Sequence, residues 1–455
     1  MYSKITDIKK GGTVHFIGIG GVSMSALAFI LIKKGYKVTG SDSGNNIYVQ
    51  RLKEAGVTVY PVHEAKNAEG ADAIIYSAAI KADNPERKYA EEHGILAMER
   101  CTLLGEIETM YDCPIDIAGT HGKTSTTGML AHIYMSTDFN PTVLIGGDLS
   151  VLGGNMHIGD TKFLVSEACE YNRSFLEFHP EIAIILDIEE DHLDCYKDLE
   201  DIKNTFRKFA QLAGRSVVIN ADDKNTVDTV KGLDNIVTTS RVSKADFYAE
   251  NLSCSPDGEY SFSVYSRDEG FLSDVKLSIP GIHHVSNALC AYAAAYISGI
   301  SPEIISKGLN EFHGVARRFE LKGSVNGIKI YDDYAHHPTE IKATLDALSN
   351  MTGTKHILFQ PHTYTRTRSL FNEFVSVLGE AESLTLLPIY AAREKDPGDI
   401  SSAMLAEKIP GAYAAKDFCD AKAHVLSKAK EGDIIMTVGA GDVFKIGEQI
   451  LETVK

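Results

Sequence analysis

Two glycines, a lysine and a hydroxyl residue, set between an apolar run and a helical repeat, are the residue types that hold phosphate. Here Ile115-Asp116-Ile117-Ala118 leads into Gly119-Thr120-His121-Gly122-Lys123-Thr124-Ser125, after which Met129, Leu130 and Ile133 recur at helical spacing. Glycines let backbone N–H groups close round phosphate oxygens, a helix N-terminus adds the positive end of its dipole, and Lys123 brings a point charge. The Thr124 hydroxyl is placed to ligate a magnesium ion bridging the phosphates. The pattern is a shortened G-x-x-G-K-T, with Ile117 where the full phosphate-loop pattern has glycine. Read alone, it also fits a plain strand–turn–helix connection that carries a lysine.

Other chemistry-bearing residues follow apolar runs. Phe163–Ser166 runs into Glu167, and Ile182–Leu186 runs into Asp187-Ile188-Glu189-Glu190-Asp191-His192. Ligand crevices of open α/β sheets form at strand carboxyl ends, so these groups are expected to converge on the phosphate loop. Thr124, Glu167 and His192 would then make a mixed oxygen and imidazole shell for magnesium; the bland reading is two surface groups at strand ends. His283 and Asn287 lie four apart after Pro280-Gly281. They read either as an adenine-facing pair on one helical face or as a cap and a packed histidine. Asp332, Asp333, His336 and His337 form a cluster that reads as a metal site or as the lining of a cleft.

The elements that must position these groups are α/β throughout. Thr13–Ile17 reads as a strand, Gly18-Ile19-Gly20-Gly21 as a turn, and Ala26–Leu31 as a helix. A second strand from Tyr36 ends at Asp42, the place of an acidic group that meets a ribose or base. Ser23 occupies the third glycine position of the dinucleotide fingerprint, and Ala73–Ser77 supplies a further strand ending in small residues. By itself this segment also fits a nicotinamide-dependent dehydrogenase. Strands at Ile328–Tyr331, His356–Phe359, Leu384–Pro388 and Ile434–Val438 build a last α/β unit, with Gln360–Arg368 read as a polar loop.

The 455-residue length suits two to four domains. A net charge of −17 argues against a nucleic-acid surface, and no apolar run reaches membrane-spanning length. Seven scattered cysteines without a C-x-x-C pair, and an N-terminus without an apolar signal core, lead us to expect a cytoplasmic chain with reduced thiols.

Five segments occur in order: Gly119–Thr124, Glu189–Asp194, Pro280–Asn287, Arg317-Arg318-Phe319-Glu320 and Asp332–Glu340. With these the chain closely resembles the Mur ligases of peptidoglycan synthesis, over nearly its whole length. Gly18–Gly21, the Asp-Asp-Tyr-x-His-His-Pro-Thr-Glu segment and Gln360–Arg368 point to the member that adds L-alanine. The resemblance implies three domains. Residues 1–112 would be a Rossmann-like domain for a UDP-sugar, 113–314 a central phosphate-loop ATPase domain, and 315–455 a Rossmann-like domain that binds the amino acid. It implies ATP and magnesium, with UDP-N-acetylmuramate and L-alanine as the other partners, in a monomer or homodimer. The lactyl carboxylate would be activated as an acyl phosphate and attacked by the amine. A sibling that attaches a tripeptide to the same UDP-sugar is the nearest rival, and a non-catalytic nucleotide-binding regulator is a further one.

Carried onto this sequence, the resemblance gives Gly119, Thr120, His121, Gly122, Lys123, Thr124 and Ser125 to the ATP phosphates. Thr124, Glu167 and His192 go to magnesium, His283 and Asn287 to adenine, and Arg318 and Asp333 to the phosphate or ribose region. Gly18, Gly20, Gly21, Asp42, His63 and Ser77 fall to the UDP moiety, and Tyr334, His336 and Arg366 to the amino acid. Lys123, His192, His336 and Arg366 are the expected catalytic groups. Departures from the family pattern are Cys169 for an aspartate, Asp187 and His284 for asparagines, and Thr363 for an arginine that would grip the amino-acid carboxylate. Arg207 stands where siblings carry a carbamylated lysine, so that modification is not expected.

Overall fold

The computed structural model describes residues 2–192, 195–349, 351–392 and 394–452. Leu193 and Asp194, the end of the His192 motif, lie outside them. The chain forms two compact units, Met1–Phe247 with Cys290–Gly308, and Tyr248–Leu289 with Leu309–Lys455. Among the described residues no helix is long and apolar enough to cross a membrane.

The first unit holds two sheets. One is five-stranded and parallel, in the order Thr58–Tyr60, Lys37–Ser41, Thr13–Ile17, Ala73–Tyr76, Leu96–Glu99. Its strand order reverses beside Thr13–Ile17, and such a switch point opens a crevice at the strand carboxyl ends. Gly18–Gly21 sits there, ahead of the helix Val22–Lys33. The second sheet runs Ile236–Ser240, Ser216–Asn220, Ile182–Ile185, Cys113–Ala118, Phe163–Glu167, Thr142–Leu149, Gly154–His157 within this unit. Cys113–Ala118 is buried along its whole length, as a central parallel strand must be. Its register sets Ile117 against Glu167 and Ala118 against Ile185. Both acidic strand ends therefore emerge beside the turn that starts at Gly119.

The second unit contains the antiparallel hairpin of Glu259–Ser266 with Gly270–Pro280. Its main sheet is six-stranded, in the order Glu320–Val325, Ile328–Asp333, Ile434–Val438, Lys355–Phe359, Ser383–Leu386, Tyr413–Ala414. The first pair is antiparallel and the others are parallel. One local reading is settled and one changes. An alanine-rich helix begins at His283, which places His283 and Asn287 within it. Gln360–Arg368 is not a loop throughout, because Tyr364–Ser369 is a short helix capped by the Thr363 side chain, which accepts from Arg366 N–H.

Candidate functional site

The phosphate loop is built by two backbone conformations that only glycine adopts without strain. Gly119 has φ +146° and Gly122 has φ +80°, so the chain reverses and Lys123 opens the helix Lys123–Met135. A Cβ on Gly119 would lie 3.0 Å from the Leu186 Cβ, so the loop packs closely on the neighbouring strand end. Asp187 pins the loop further: its Oδ1 accepts from His121 N–H at 2.8 Å and its carbonyl from Thr120 N–H at 3.2 Å. Glu189 completes the brace, its N–H donating to Thr120 Oγ1 at 2.9 Å while its carboxylate meets His121 Nε2 at 3.1 Å. Burial pushes the Asp187 carboxyl up to about 6, against the pull of His121.

Lys123 Nζ donates to Gly119 O at 2.5 Å, to Thr120 O at 3.2 Å, and to both Glu170 oxygens at 2.9 and 3.1 Å. Burial works against the ammonium, but the Glu170 carboxylate outweighs it and the Lys123 pKa is raised. Thr124 Oγ1 donates to Glu167 Oε2 at 3.1 Å, and Glu167 Oε1 accepts from Gly146 N–H at 2.6 Å. A carboxylate and a hydroxyl converging beside a phosphate loop are hard oxygen donors of the kind magnesium takes, so these residues fit that ion. His192, at φ +54°, places Nε2 3.7 Å from Glu170 Oε1. Glu170 thus stands between Lys123 and His192, a residue that the motif reading left without a role.

At the other sheet, the Gly20 N–H donates to Asp42 Oδ2 and the Gly44 N–H to Asp42 Oδ1, each at 2.8 Å. Asp42 therefore braces the glycine turn, a task that competes with the ribose contact expected of it. His63 is anchored from below. Its Nδ1 lies 3.1 Å from Glu86 Oε2, and that buried carboxylate also accepts from Ser41 Oγ at 2.7 Å and Asn67 Nδ2 at 2.8 Å. Burial alone would raise the Glu86 pKa, but the hydrogen bonds from His15, Asn67 and Ser41 hold it down at about 2. Ser77 follows the strand Ala73–Tyr76 and its carbonyl accepts from Ile80 N–H.

A cavity of about 270 Å³ lies between the two sheets of this unit. Ser23 and Arg100 line it near the start of helix Val22–Lys33, and Gly146, Asn155, Ser166 and Glu167 line it from the central sheet. Arg100 Nη1 donates to Ser23 Oγ at 3.1 Å. Neither Arg100 nor Asn155 carried a signal in the sequence, since neither belongs to a motif and only the packing of the two sheets brings them to one cavity.

In the second unit, His283 and Asn287 open the helix His283–Ile297, and Asn287 is buried. Gly281 has φ +110°, and a Cβ there would meet His283 Cε1 at 2.7 Å, so glycine is what lets that ring lie where it does. The neighbouring His284 is fully buried, and burial holds its pKa well below the ordinary histidine value.

The acidic and histidine cluster after Ile328–Asp333 is divided among different tasks. Asp332 accepts from Arg317 Nε at 3.0 Å and Thr437 Oγ1 at 2.6 Å, and Asp333 accepts from Thr344 Oγ1 at 2.8 Å and Ala335 N–H at 3.1 Å. Among the described residues no group of three His, Cys, Asp or Glu side chains is arranged to hold a metal. Burial pushes Asp333 up to about 6 even with Arg318 nearby, and the Arg318 guanidinium lies 5.2 Å from the Tyr334 ring centre.

Tyr334, His336 and Arg366 come together through His362. The His336 ring lies 5.6 Å from Tyr334 and 5.7 Å from His362, whose Nδ1 is 3.4 Å from Arg366 Nη1. His336 Nδ1 sits 3.0 Å from Tyr334 O, which can only accept, so Nδ1 carries the proton and Nε2 the lone pair. Burial lowers the His336 pKa, and burial with His336 and Arg366 alongside lowers that of His362 to about 4. Both rings are neutral at pH near 7.

Comparison with known proteins shows what the chain is similar to. The chain matches the family models described as "Mur ligase family, catalytic domain" over residues 13–111, "Mur ligase middle domain" over 117–295 and "Mur ligase, glutamate ligase domain" over 317–441. It is 46% identical to the UDP-N-acetylmuramate–L-alanine ligase of Clostridium acetobutylicum, over 98% of each chain. The solved structure of UDP-N-acetylmuramate-alanine ligase MurC from Thermotoga maritima superposes with a TM-score of 0.80 at 28% identity, covering 97% of this chain and 99% of that one. A murein peptide ligase from Psychrobacter arcticus gives 0.71 at 26% identity, over 98% and 99%.

Proposed function

The chain belongs to the Mur ligase family, and we propose that it joins L-alanine to the lactyl carboxylate of UDP-N-acetylmuramate at the expense of ATP. The observation that carries this reading is the cavity of about 270 Å³ that reaches from the start of helix Val22–Lys33 to Glu167. A substrate with a diphosphate at one end and a carboxylate at the other suits a space with a helix N-terminus at one end and the phosphate-loop carboxylate at the other. In this reading residues 1–112 bind the UDP-sugar, 113–314 bind ATP and 315–455 bind the amino acid.

The chemistry divides among the residues described. The carboxylate attacks the γ-phosphorus of ATP, ADP leaves, and the resulting acyl phosphate is attacked by the alanine nitrogen. Collapse of the tetrahedral intermediate expels phosphate and leaves the amide. Lys123 gives up Glu170 for the β- and γ-phosphates and neutralises the charge that shifts toward the leaving ADP. Thr124, Glu167 and His192 would hold magnesium, which supplies charge neutralisation between phosphate and carboxylate. Glycines 119 and 122 with Thr120, His121 and Ser125 cradle the phosphates, His283 and Asn287 face adenine, and Arg318 and Asp333 serve the ribose and phosphate region. The turn Gly18–Gly21 with Asp42, His63 and Ser77 takes the UDP moiety. Arg366 holds the alanine carboxylate beside Tyr334, and the free Nε2 of His336 takes a proton from the incoming amine.

The test is phosphate release from ATP with magnesium and UDP-N-acetylmuramate, comparing L-alanine, other amino acids and the tripeptide. Release that requires both the UDP-sugar and L-alanine is the expected result. Preference for the tripeptide would reassign the chain to the murein-peptide branch, and ATP binding without release under any condition would leave a regulator.

A further inference from the structure

We infer that Asn155 recognises the 2-acetamido group of the sugar, its Oδ1 accepting the amide N–H; this rests on the UDP-N-acetylmuramate reading above. Asn155 is 3% exposed and lines the cavity, and its Oδ1 has no hydrogen-bond partner among the described residues. A buried carbonyl oxygen without a donor is costly, and such a group persists where a ligand completes it. The two ends of the cavity are already matched to charge: Arg100 and Ser23 stand at the helix start, Glu167 at the phosphate loop. What remains between them is the neutral sugar ring.

Asn155 is a neutral acceptor, and the cavity it lines is otherwise apolar at Val22, Ala26, Leu104, Leu144 and Ile145. An acceptor in a cavity with an apolar lining fits an acetamido group, which presents an N–H and a methyl side by side. A hydroxyl in the same place would satisfy the oxygen but leave the apolar lining facing water. Asn155 sits on the short strand Gly154–His157, which pairs antiparallel with Thr142–Leu149. Its position is therefore fixed by the same hairpin that brings Gly146 to Glu167.

The experiment compares wild type with Asn155→Leu on UDP-N-acetylmuramate and on its analogue with hydrogen in place of the 2-acetamido group. Removing a buried donor–acceptor contact from a site built for it is expected to raise KM for the UDP-sugar by about ten- to a hundredfold. KM for ATP and for L-alanine stays unchanged. The wild type loses a comparable factor on the analogue, whereas Asn155→Leu distinguishes the two sugars by less than about threefold. Because the oxygen has no partner among the described residues, the melting temperature of the ligand-free variant is expected to hold or rise.

A variant that still distinguishes the two sugars, or one that melts lower and loses all three substrates alike, overturns the inference. If the leucine variant does not fold, Asn155→Ala is measured the same way, and a wild type indifferent to the 2-acetamido group overturns the inference without any variant. Wild type that releases no phosphate with UDP-N-acetylmuramate and L-alanine removes the functional reading itself, a result separable from the others.

Discussion

Lys123 shows how a single side chain is held ready. Three carbonyl or carboxylate partners surround its ammonium, and Glu170 is the one whose charge a phosphate can replace. Lys123→Ala removes that charge and is expected to lower kcat at least about a hundredfold, the cost of losing one donor to a developing anion. Single-turnover phosphate release checks it, and a loss below tenfold (about 1.4 kcal/mol) would place the lysine outside the chemistry. A second buried group bears on pH. Glu108 Oε1 and Asp116 Oδ2 have no other hydrogen-bond partner among the described residues, and a proton held between the two carboxyls supplies one. Burial raises both pKa values, that of Asp116 to about 7 from 3.8. The folded chain therefore binds more protons than the unfolded one across that window, and stability falls as pH rises through it. Asp116→Asn should flatten this slope, so that the variant melts above wild type at about pH 8 but not at about pH 5. Parallel melting curves for the two proteins would refute the shared proton.

Two helices set the geometry of the cavity and the loop, and each depends on a glycine for a different reason. Gly122 supplies the positive φ that starts Lys123–Met135. Gly105, in the helix Arg100–Glu108, has ordinary backbone angles, but a Cβ there would lie 1.9 Å from Glu177 O. That carbonyl is backbone and cannot swing aside. Gly105→Ala is expected to destabilise by about 1–3 kcal/mol through overpacking, and to displace Arg100 at the head of the same helix. Calorimetric melting together with KM for the UDP-sugar tests this; an unchanged melting point would mean that the two segments separate at little cost. The helix Tyr364–Ser369, capped by the Thr363 side chain, carries Arg366 within hydrogen-bonding distance of His362. In the proposed function Arg366 is the group that meets the amino-acid carboxylate.

At the scale of the whole chain, the candidate residues divide between the two units. The phosphate loop, the proposed magnesium donors and the proposed UDP-sugar residues all lie in the first, and His283, Asn287, Arg318, Asp333, Tyr334, His336 and Arg366 in the second. His336→Ala is therefore expected to raise the L-alanine requirement while leaving UDP-sugar binding, measured by titration calorimetry, nearly intact. Equal loss for both ligands would make His336 a structural group. Discrimination against glycine rests on one methyl, worth only about 1–3 kcal/mol in an apolar pocket, so measurable glycine turnover is expected.

Motif residues announced themselves because their chemistry is local. Gly119, Gly122, Lys123 and Thr124 are adjacent in sequence, and His283 and Asn287 need only one helical turn to share a face. The three α/β sheets were legible for the same reason, since buried parallel strands write themselves as short apolar runs closed by polar ends. What the sequence does not show at Asp42 is that its two oxygens also accept from the backbone N–H groups of Gly20 and Gly44. Glu170, Glu86, Arg100, His362 and Asn155 could not be read at all. Glu170, Glu86 and Arg100 acquire their meaning from partners far away in the chain, as Glu86 does from Ser41 and His63 and Arg100 from Ser23, and Asn155 acquires its meaning from the residues that share its cavity. The sequence by itself determined the family, the phosphate loop and the reaction type, because periodicity and short-range spacing are carried by neighbours along the chain. Only the tertiary structure decided which carboxylate faces Lys123 and which amide oxygen in the cavity has no partner among the described residues, because both depend on how separate strands come into register.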